Sequence, residues 1–151
     1  MLGQDFSEFV GLLNSHNVRY LVVGGYAVAF HGHPRFTGDI DIWVDRTEDN
    51  ARRLVSALEE FGFGSVGLSA EVFVTADQVV QLGYPPNRID ILTDLTGVTF
   101  GPCFETKQTA TFGATEVHFI GLESLKFNKR ALGRYQDLAD LENLHECGSI
   151  R

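Results

Sequence analysis

The sequence predicts one α/β or α+β domain, in which helices alternate with short strands and a pair of helices closes the chain. Three patterns predict this fold class: apolar residues at helical spacing, apolar residues alternating with polar ones, and continuous apolar runs of strand length. A chain of 151 residues with 44% hydrophobic and 21% charged residues has the composition of an ordinary globular protein. We therefore expect a single domain over residues 1–151, long enough to bury a real core.

The first half of the chain predicts three helices and two strands. Residues 5–16 have helical spacing with Asp5 as candidate N-cap, and residues 18–23 form a continuous apolar strand. A short helix over residues 26–32 follows a pair of glycines. Residues 39–44 alternate as a second strand, and a helix with Thr47 as its N-cap then runs to about Gly62.

The second half predicts further strands before the closing helices. Residues 71–74 are predicted as a short strand and residues 75–82 as a single helical turn capped by Thr75. Residues 87–93 alternate again and predict a strand. Residues 100–112 are mixed, with strand character from 107 to 112. The remaining predictions are a strand over 115–120 and helices over 122–132 and 135–146.

Composition and charge exclude several classes of protein. No apolar run approaches the roughly 18–20 residues of a membrane span, and the N-terminal residues do not resemble a signal peptide. Cys103 and Cys147 are far apart and lack a metal-binding partner, so we expect reduced cysteines in a cytoplasmic protein, with a disulfide as the alternative. A net charge of −8 argues against a polymerase acting on long duplexes.

The strand at residues 39–44 contains two carboxylates. Asp39 and Asp41 share one face of the strand, while Ile40 and Ile42 share the other. Carboxylates one strand repeat apart lie within roughly 6–7 Å and repel each other, and Asp is disfavoured inside strands. A cation between them explains both acids, and oxygen ligands suit Mg²⁺ or Mn²⁺. The alternative is a turn acid followed by a surface acid.

Gly24 and Gly25 end the preceding apolar strand where a helix begins. Glycines permit a tight turn that brings backbone N–H groups against a phosphate, and the dipole of a helix N-terminus favours an anion. Alone, the pair is better explained as a strand-to-helix turn. Followed by Asp39 and Asp41, it predicts a phosphate site beside a metal site.

Residues 22–44 resemble the signature of the polymerase-β-like nucleotidyltransferase superfamily. The pattern is a hydrophobic residue, Gly-Gly or Gly-Ser, a gap, and Asp-hydrophobic-Asp-hydrophobic, and it is filled here by Val23-Gly24-Gly25 and Asp39-Ile40-Asp41-Ile42. Many relatives have Ser where this chain has Gly25, so only backbone donors remain at that position. The resemblance implies a small mixed β-sheet with helices packed mainly on one face and the acids at one end of the strands.

The same resemblance implies a third acid on a later strand, which completes the metal site and takes the proton from the attacking hydroxyl. Asp90, between Ile89 and Ile91, is the candidate for this catalytic and metal-binding role. The alternative is a solvent-facing acid paired with Arg88. Relatives often have basic and hydroxyl residues just ahead of the first acids, so Arg35 and Thr37 are candidate nucleotide-binding residues; for Arg35 a surface arginine is the alternative.

Residues 121–144 carry four basic residues without an intervening acid: Lys126, Lys129, Arg130 and Arg134. One explanation is compensation of the helix dipole, with Asp137 and Asp140 at the start of the next helix. The run also resembles the Lys-x-x-Lys…Arg-x-x-Asp-x-x-Asp segment of small nucleotidyltransferases. That resemblance implies phosphate contacts for Lys126, Lys129 and Arg134, with the two acids pairing with these bases.

Together the motifs imply a metal-dependent nucleotidyltransferase that moves a nucleoside monophosphate from an NTP to an acceptor hydroxyl and releases pyrophosphate. Relatives act on antibiotics and other small molecules, or, in toxin–antitoxin systems, on a protein or a tRNA end. Because the sequence ends at Arg151, we expect a second subunit of a homodimer, or the acceptor itself, to complete the acceptor pocket. The alternative function is a non-catalytic, antitoxin-like module that binds a nucleotide or a partner.

Overall fold

The computed structural model describes residues 3–32, 38–64, 68–84 and 87–150, with side chains as far as Leu144. Six strands form one mixed sheet in the spatial order β3-β4-β2-β1-β6-β5. The strands are β1 (Tyr20–Val23), β2 (Asp39–Val44), β3 (Val79–Leu82), β4 (Arg88–Leu92), β5 (Gln108–Phe112) and β6 (Thr115–Phe119). The helices are α1 (Gln4–Ser15), α2 (Gly24–Phe30), α3 (Glu48–Leu58), α4 (Ala70–Val74), α5 (Phe100–Glu105), α6 (Leu122–Leu132) and α7 (Tyr135–Ile150).

The centre of the sheet combines parallel and antiparallel pairing. Strand β2 pairs in parallel with β4 and antiparallel with β1, and β1 in turn pairs in parallel with β6. The hairpin strand β5 and the edge strand β3 pair antiparallel with β6 and β4. The predicted mixed sheet is therefore confirmed, and three of its central strands, β1, β2 and β4, carry or adjoin the site described below.

The hydrophobic core is built from the apolar faces of the central strands and two helices. Ile40, Ile42 and Ile91 are fully buried and belong to one cluster with the apolar stripes of α1 and α3. Burial of one such side chain stabilises the fold by about 1.5–3 kcal/mol. Because side chains alternate along a strand, burial of these isoleucines turns the intervening polar residues of β2 and β4 to the opposite face.

The C-terminal helical pair is confirmed. Helix α6 ends at Gly133, which has a left-handed conformation (φ +66°) and donates its N–H to Lys129 O at 3.1 Å. This is the conformation in which glycine most often ends a helix. The chain then turns at once into α7, so that α6 and α7 pack against each other.

Helix α3 begins at the predicted N-cap. Thr47 Oγ1 accepts a hydrogen bond from the backbone N–H of Asn50 at 3.3 Å, which confirms Thr47 as the N-cap. After Leu58 the helix widens into a π-helical turn (Glu59–Phe63), where Gly62 takes φ +116°. In α1, by contrast, Gly3 is the N-cap and Asp5 lies in the first turn, so the predicted cap was wrong.

Two neighbouring predictions were wrong: a helix lies where a strand was predicted, and a strand lies where a helical turn was predicted. Residues 71–74, predicted as a strand, lie in helix α4, which buries Phe73. Residues 75–82, predicted as a helical turn, contain β3, because Val80 pairs with Ile91 and Leu82 with Ile89 on the neighbouring strand. The mixed stretch 100–112 resolves into α5 and β5.

Two further features bear on the predicted class of protein. Within the described ranges, no helix is both long enough and apolar enough to cross a membrane. Cys103 is buried and forms no disulfide, whereas the side chain of Cys147 lies outside the described residues.

Candidate active site

Strand pairing brings the three predicted acids to one face of the sheet. In the parallel pair of β2 and β4, Asp41 lies opposite Asp90 and Asp39 lies opposite Arg88. Side chains in register across a pair share a face, so the three carboxylates lie together at the start of these two strands. Strand β1 runs the other way and places Val23, the residue before the glycine pair, opposite Asp41.

The glycine pair adjoins the acids directly. Gly24 has φ +65°, a conformation that residues with a side chain rarely adopt, and a Cβ at this position would overlap Oδ2 of Asp41. Gly24 and Gly25 are the first residues of α2, whose first amide groups have no partner within the helix. Glycine is therefore required at position 24 both by the turn and by the approach of the Asp41 carboxylate.

The guanidinium of Arg88 lies among the same acids. Its Nη2 donates to Asp39 Oδ2 at 2.8 Å and to Asp90 Oδ2 at 3.1 Å, while its Nε donates to Asp90 Oδ1 at 3.0 Å. Asp90 therefore does pair with Arg88, as the alternative interpretation held, yet only 11% of its side chain is exposed. The pair is part of the carboxylate cluster and not of an open surface.

Burial and the neighbouring acids disfavour the ionised form of Asp41. Burial, followed by repulsion from Asp90 and Asp39, raises the pKa of Asp41 from 3.8 to about 7. The positive charge of Lys129 acts in the opposite direction without cancelling the rise. A carboxylate with such a pKa is one whose charge is not fully compensated by the surrounding protein.

The donor set fits a divalent cation. In the described part of the chain, no three His, Cys, Asp or Glu side chains are already grouped closely enough to hold a metal ion. Carboxylate oxygens are nevertheless the ligands that Mg²⁺ and Mn²⁺ prefer, and three carboxylates share this face. The raised pKa of Asp41 marks the same place as one that a cation would stabilise.

A cleft of about 490 Å³ opens beside the glycines and Asp41. Its opposite wall comes from the α6–α7 pair, which contributes Asn128, Lys129, Arg134, Gln136 and Asp137 among others. The structure thus brings two of the predicted phosphate-binding bases into one cleft with the glycine pair and an acid.

Both of these bases are held by acids of α7. Lys129 is 5% exposed, and its Nζ lies 3.3 Å from Asp137 Oδ1 and 3.1 Å from Asp140 Oδ2. Arg134 donates to Asp137 Oδ2 at 2.6 Å and to its Oδ1 at 3.3 Å. Although burial opposes it, hydrogen bonding from Arg134 and Lys129 lowers the pKa of Asp137. Pairing of the bases with Asp137 and Asp140 is what the sequence predicted.

Three further residues were predicted for the site, and the structure describes one of them, Lys126. Lys126 Nζ lies 3.5 Å from Glu123 Oε2, and Lys126 does not belong to the described lining of the cleft. Arg35 and Thr37 fall outside the described residues, so their nucleotide-binding role stays a prediction.

Sequence reasoning missed a loop that lines the cleft. Asp94, Leu95 and Thr96 follow β4 and border the cleft, and Asn128 Nδ2 fixes the loop by donating to Thr96 O at 2.9 Å. No motif marks these residues. The one available signal was their position directly after the strand that carries Asp90.

The mixed sheet, the closing helical pair and the acids beside a glycine turn define a nucleotidyltransferase-type protein. The chain belongs to the aminoglycoside-2″-adenylyltransferase family, whose family model matches residues 6–141. It is thus a member of a family of adenylyltransferase enzymes, which confirms the predicted nucleotidyltransferase. No curated protein sequence matches the chain significantly.

Solved structures share the fold. A predicted nucleotidyltransferase of Thermotoga maritima is 18% identical with a TM-score of 0.59, over 95% of this chain and 90% of that chain. The lincomycin-bound lincosamide antibiotic adenylyltransferase LnuA is 15% identical with a TM-score of 0.58, over 95% and 96% of the two chains. An antigenic nucleotidyltransferase-like protein of Paracoccidioides brasiliensis is 20% identical with a TM-score of 0.54, over 95% and 77%. At these identities the likeness concerns the fold.

Proposed function

We propose that this protein transfers a nucleoside monophosphate, with ATP as the donor, to a hydroxyl of a small antibiotic-like acceptor and releases pyrophosphate. The observation that carries the proposal is the meeting of Asp39, Asp41 and Asp90 on one face of the sheet. Of these acids, Asp41 borders a cleft that Gly24 and Gly25 also line. Phosphoryl-type transfer depends chiefly on positioning and electrostatic stabilisation, which such a site supplies.

The three carboxylates are proposed as the metal ligands. A Mg²⁺ or Mn²⁺ ion held there would supply Lewis-acid stabilisation of the negative charge on the phosphate oxygens. Asp90 is also the proposed acceptor of the proton from the attacking hydroxyl. Its position opposite Asp41 in the strand pair supports a role beside the reacting atoms.

The glycine pair and the bases are proposed to hold the triphosphate. The amide groups of Gly24 and Gly25 begin α2 and border the cleft, so they can donate to phosphate oxygens without a side chain in the way. Lys129 and Arg134 border the same cleft and supply positive charge. The planar fork of Arg134 suits a phosphate, and Asp137 holds that fork in one orientation.

The family and the charge of the chain support a small, cationic acceptor. The family model is that of an aminoglycoside-2″-adenylyltransferase, and aminoglycosides carry several amino groups. A chain with a net charge of −8 attracts such a cation over a distance and repels a long nucleic acid. Asp94 adds a carboxylate to the wall of the cleft.

The test is a pyrophosphate-release assay with ATP, Mg²⁺ and separate panels of aminoglycosides and lincosamides, with mass spectrometry of the acceptor. We expect release only with an acceptor, and an acceptor heavier by one adenylyl group. Asp39→Asn should reduce the rate by at least about 1,000-fold. Asp49→Asn is the matched control, because Asp49 is an exposed carboxylate that pairs with Arg52 at the start of α3.

Three outcomes would contradict parts of the proposal. Release of pyrophosphate with CTP, GTP or UTP but not ATP would overturn the donor. Transfer only to a protein or to a tRNA end would overturn the small-molecule acceptor while leaving the chemistry in place. Binding of ATP and Mg²⁺ without turnover on any acceptor would favour a non-catalytic binding module.

A further inference from the structure

Arg88 is the one residue of the carboxylate cluster to which the proposed reaction gives no task. Its guanidinium donates three hydrogen bonds of 2.8–3.1 Å, one to Asp39 and two to Asp90. Both oxygens of Asp90 therefore accept hydrogen bonds from the same guanidinium group, one from Nε and one from Nη2. About 28% of the Arg88 side chain is exposed, against 11% for Asp90.

The position of the Arg88 side chain follows from alternation along β4 and from the pairing of β4 with β2. Arg88 precedes Asp90 by two residues on β4, so both side chains lie on one face, and the parallel register puts Arg88 opposite Asp39. Planar, bidentate pairing with a carboxylate is a geometry that arginine makes and lysine does not. The arrangement therefore depends on the residue type as well as on the charge.

We propose that Arg88 is an internal counter-cation, which holds Asp39 and Asp90 in place in the metal-free enzyme and competes with a divalent cation for their oxygens. The inference rests on the proposed function in one respect, namely that the three carboxylates bind a metal ion. It adds a positioning residue that sets how tightly they do so.

The competition follows from charge and from the contacts that the oxygens of Asp90 already make. A Mg²⁺ or Mn²⁺ ion takes carboxylate oxygens as inner ligands at about 2.0–2.2 Å, and the oxygens of Asp90 already accept hydrogen bonds from Arg88. Metal binding must weaken those bonds. The fixed positive charge of Arg88 also makes the site less attractive to a second cation.

A nucleotide changes this balance. The negative charge of a bound triphosphate offsets the charge of Arg88, so the metal binds more tightly in the presence of the nucleotide than alone. By reciprocity, the metal raises nucleotide affinity by the same factor. Arg88 thereby ties metal loading to nucleotide binding.

The experiment measures Mn²⁺ affinity by calorimetry, with no nucleotide present, together with the midpoint of thermal unfolding in EDTA. The variants are Arg88→Met, which removes the charge and keeps the length, and Arg88→Lys, which keeps the charge and removes the fork. Arg52→Met is the control, because Arg52 pairs with Asp49 on α3, away from the cluster.

We expect Arg88→Met to bind Mn²⁺ roughly three- to tenfold more tightly than the wild type and to unfold at a lower temperature in EDTA. The Mn²⁺ affinity of Arg88→Lys should lie between that of the wild type and that of Arg88→Met. Adding a non-hydrolysable ATP analogue should reduce the difference in Mn²⁺ affinity between Arg88→Met and the wild type. Arg52→Met should match the wild type in Mn²⁺ affinity.

The outcomes separate this inference from the proposed function. Equal or weaker Mn²⁺ binding by Arg88→Met, with clear binding by the wild type, overturns the competition and leaves the metal site standing. Absence of Mn²⁺ binding in all variants, with and without the ATP analogue, overturns the metal site and the competition together. Should Arg88→Met fail to fold, unchanged Mn²⁺ affinity in Arg88→Lys overturns the inference.

Discussion

The carboxylate of Asp41 lies directly against the Cα of Gly24, so closely that a Cβ on residue 24 would overlap its Oδ2. This close approach places the end of β1, where Gly24 begins α2, directly against the face of β2 that carries Asp41. Gly24 also takes φ +65°, which an alanine adopts only with strain. The glycine of the motif therefore constrains the position of the Asp41 carboxylate as well as the shape of the turn into α2.

Gly24→Ala should consequently lower both stability and activity. Relief of the overlap requires Asp41 or the start of α2 to move, and we expect a loss of roughly 2–4 kcal/mol in the free energy of unfolding. Activity should fall by more than about 100-fold because the carboxylate is displaced. Urea denaturation and the pyrophosphate assay measure the two effects.

Gly11→Ala is the matched control for that substitution. Gly11 lies within α1, and a Cβ there meets nothing within 4 Å. The change should stabilise the protein by about 0.5–1 kcal/mol, with activity unaffected. Equal effects of the two alanines would show that residue 24 has no special contact with Asp41.

The contribution of Asp41 to the stability of the metal-free protein should fall as pH rises from about 4 to 7. Burial and neighbouring carboxylates raise the pKa of Asp41 to about 7 in the folded state, against 3.8 for the unfolded chain. Between these values the folded state holds the proton that the unfolded state releases, so stability is lost on ionisation. In EDTA, Asp41→Asn should be more stable than the wild type at pH 8, by roughly 2–4 kcal/mol, and the difference should vanish near pH 4.

The matched control for the pH profile is Asp49→Asn, which changes an exposed carboxylate outside the cluster. Its stability should follow the wild-type profile in parallel over the same range. Chemical denaturation in EDTA at several pH values gives both curves. If Asp41→Asn keeps the same advantage at pH 4 and pH 8, the buried charge of Asp41 is not what limits stability.

Two lysines of α6 that the sequence treated alike should differ in their contribution to stability. Lys129 lies between Asp137 and Asp140, whose side chains are each 1% exposed. Removing its charge leaves buried carboxylates poorly compensated, so Lys129→Met should cost about 3–5 kcal/mol. Lys126 pairs with Glu123, whose side chain is 86% exposed, and Lys126→Met should cost less than about 1 kcal/mol.

Denaturation curves of the two methionine variants, measured side by side, check this difference. The same proteins test the predicted phosphate contacts, since Lys129 borders the cleft and Lys126 is not part of its described lining. Lys126→Met should bind ATP as the wild type does. A loss of ATP affinity in Lys126→Met equal to that in any cleft variant would contradict the placement of this residue.

The shared face of Asp39 and Asp41 could be predicted from sequence because it depends only on their spacing along one strand. Alternation alone puts Asp39 and Asp41 on one face and assigns Asp90 to a strand. Convergence of the three acids required the order of the strands, which the family resemblance implied and periodicity does not contain. The contact between Gly24 and Asp41 depends on strand pairing in the same way.

What could not be predicted depends on contacts between distant segments. The sequence indicates Arg88 as a partner of Asp90 on a solvent-facing strand. Its bond to Asp39 follows from the pairing of β2 with β4, which the sequence of one strand does not reveal. The exchange of helix and strand at residues 71–82 has a related cause. Apolar residues without a clear period at Val79 and Val80 join the sheet because β4 offers an edge to pair with.

Arg134 should contribute to nucleotide affinity much more than to stability. Its side chain is 71% exposed at the mouth of the cleft, while Asp137, its partner, is buried and also pairs with Lys129. Arg134→Met should therefore raise the Kd for ATP with Mg²⁺ by roughly tenfold and change the free energy of unfolding by less than about 1 kcal/mol. The loss should shrink at high salt, because it arises from charge.

Arg130→Met is the matched control for Arg134, since Arg130 is exposed near the end of α6, contacts the Phe127 ring and is not part of the described lining of the cleft. It should bind ATP as the wild type does. Asp137→Asn tests whether the carboxylate orients the Arg134 fork, because it removes the negative charge and one of the two oxygens that accept from the fork, and leaves the arginine itself. We expect it to weaken ATP binding like Arg134→Met and also to lower stability. Unchanged ATP affinity in Arg134→Met would leave Lys129 as the cleft's phosphate contact on α6 and make the fork of Arg134 a brace for α7 alone.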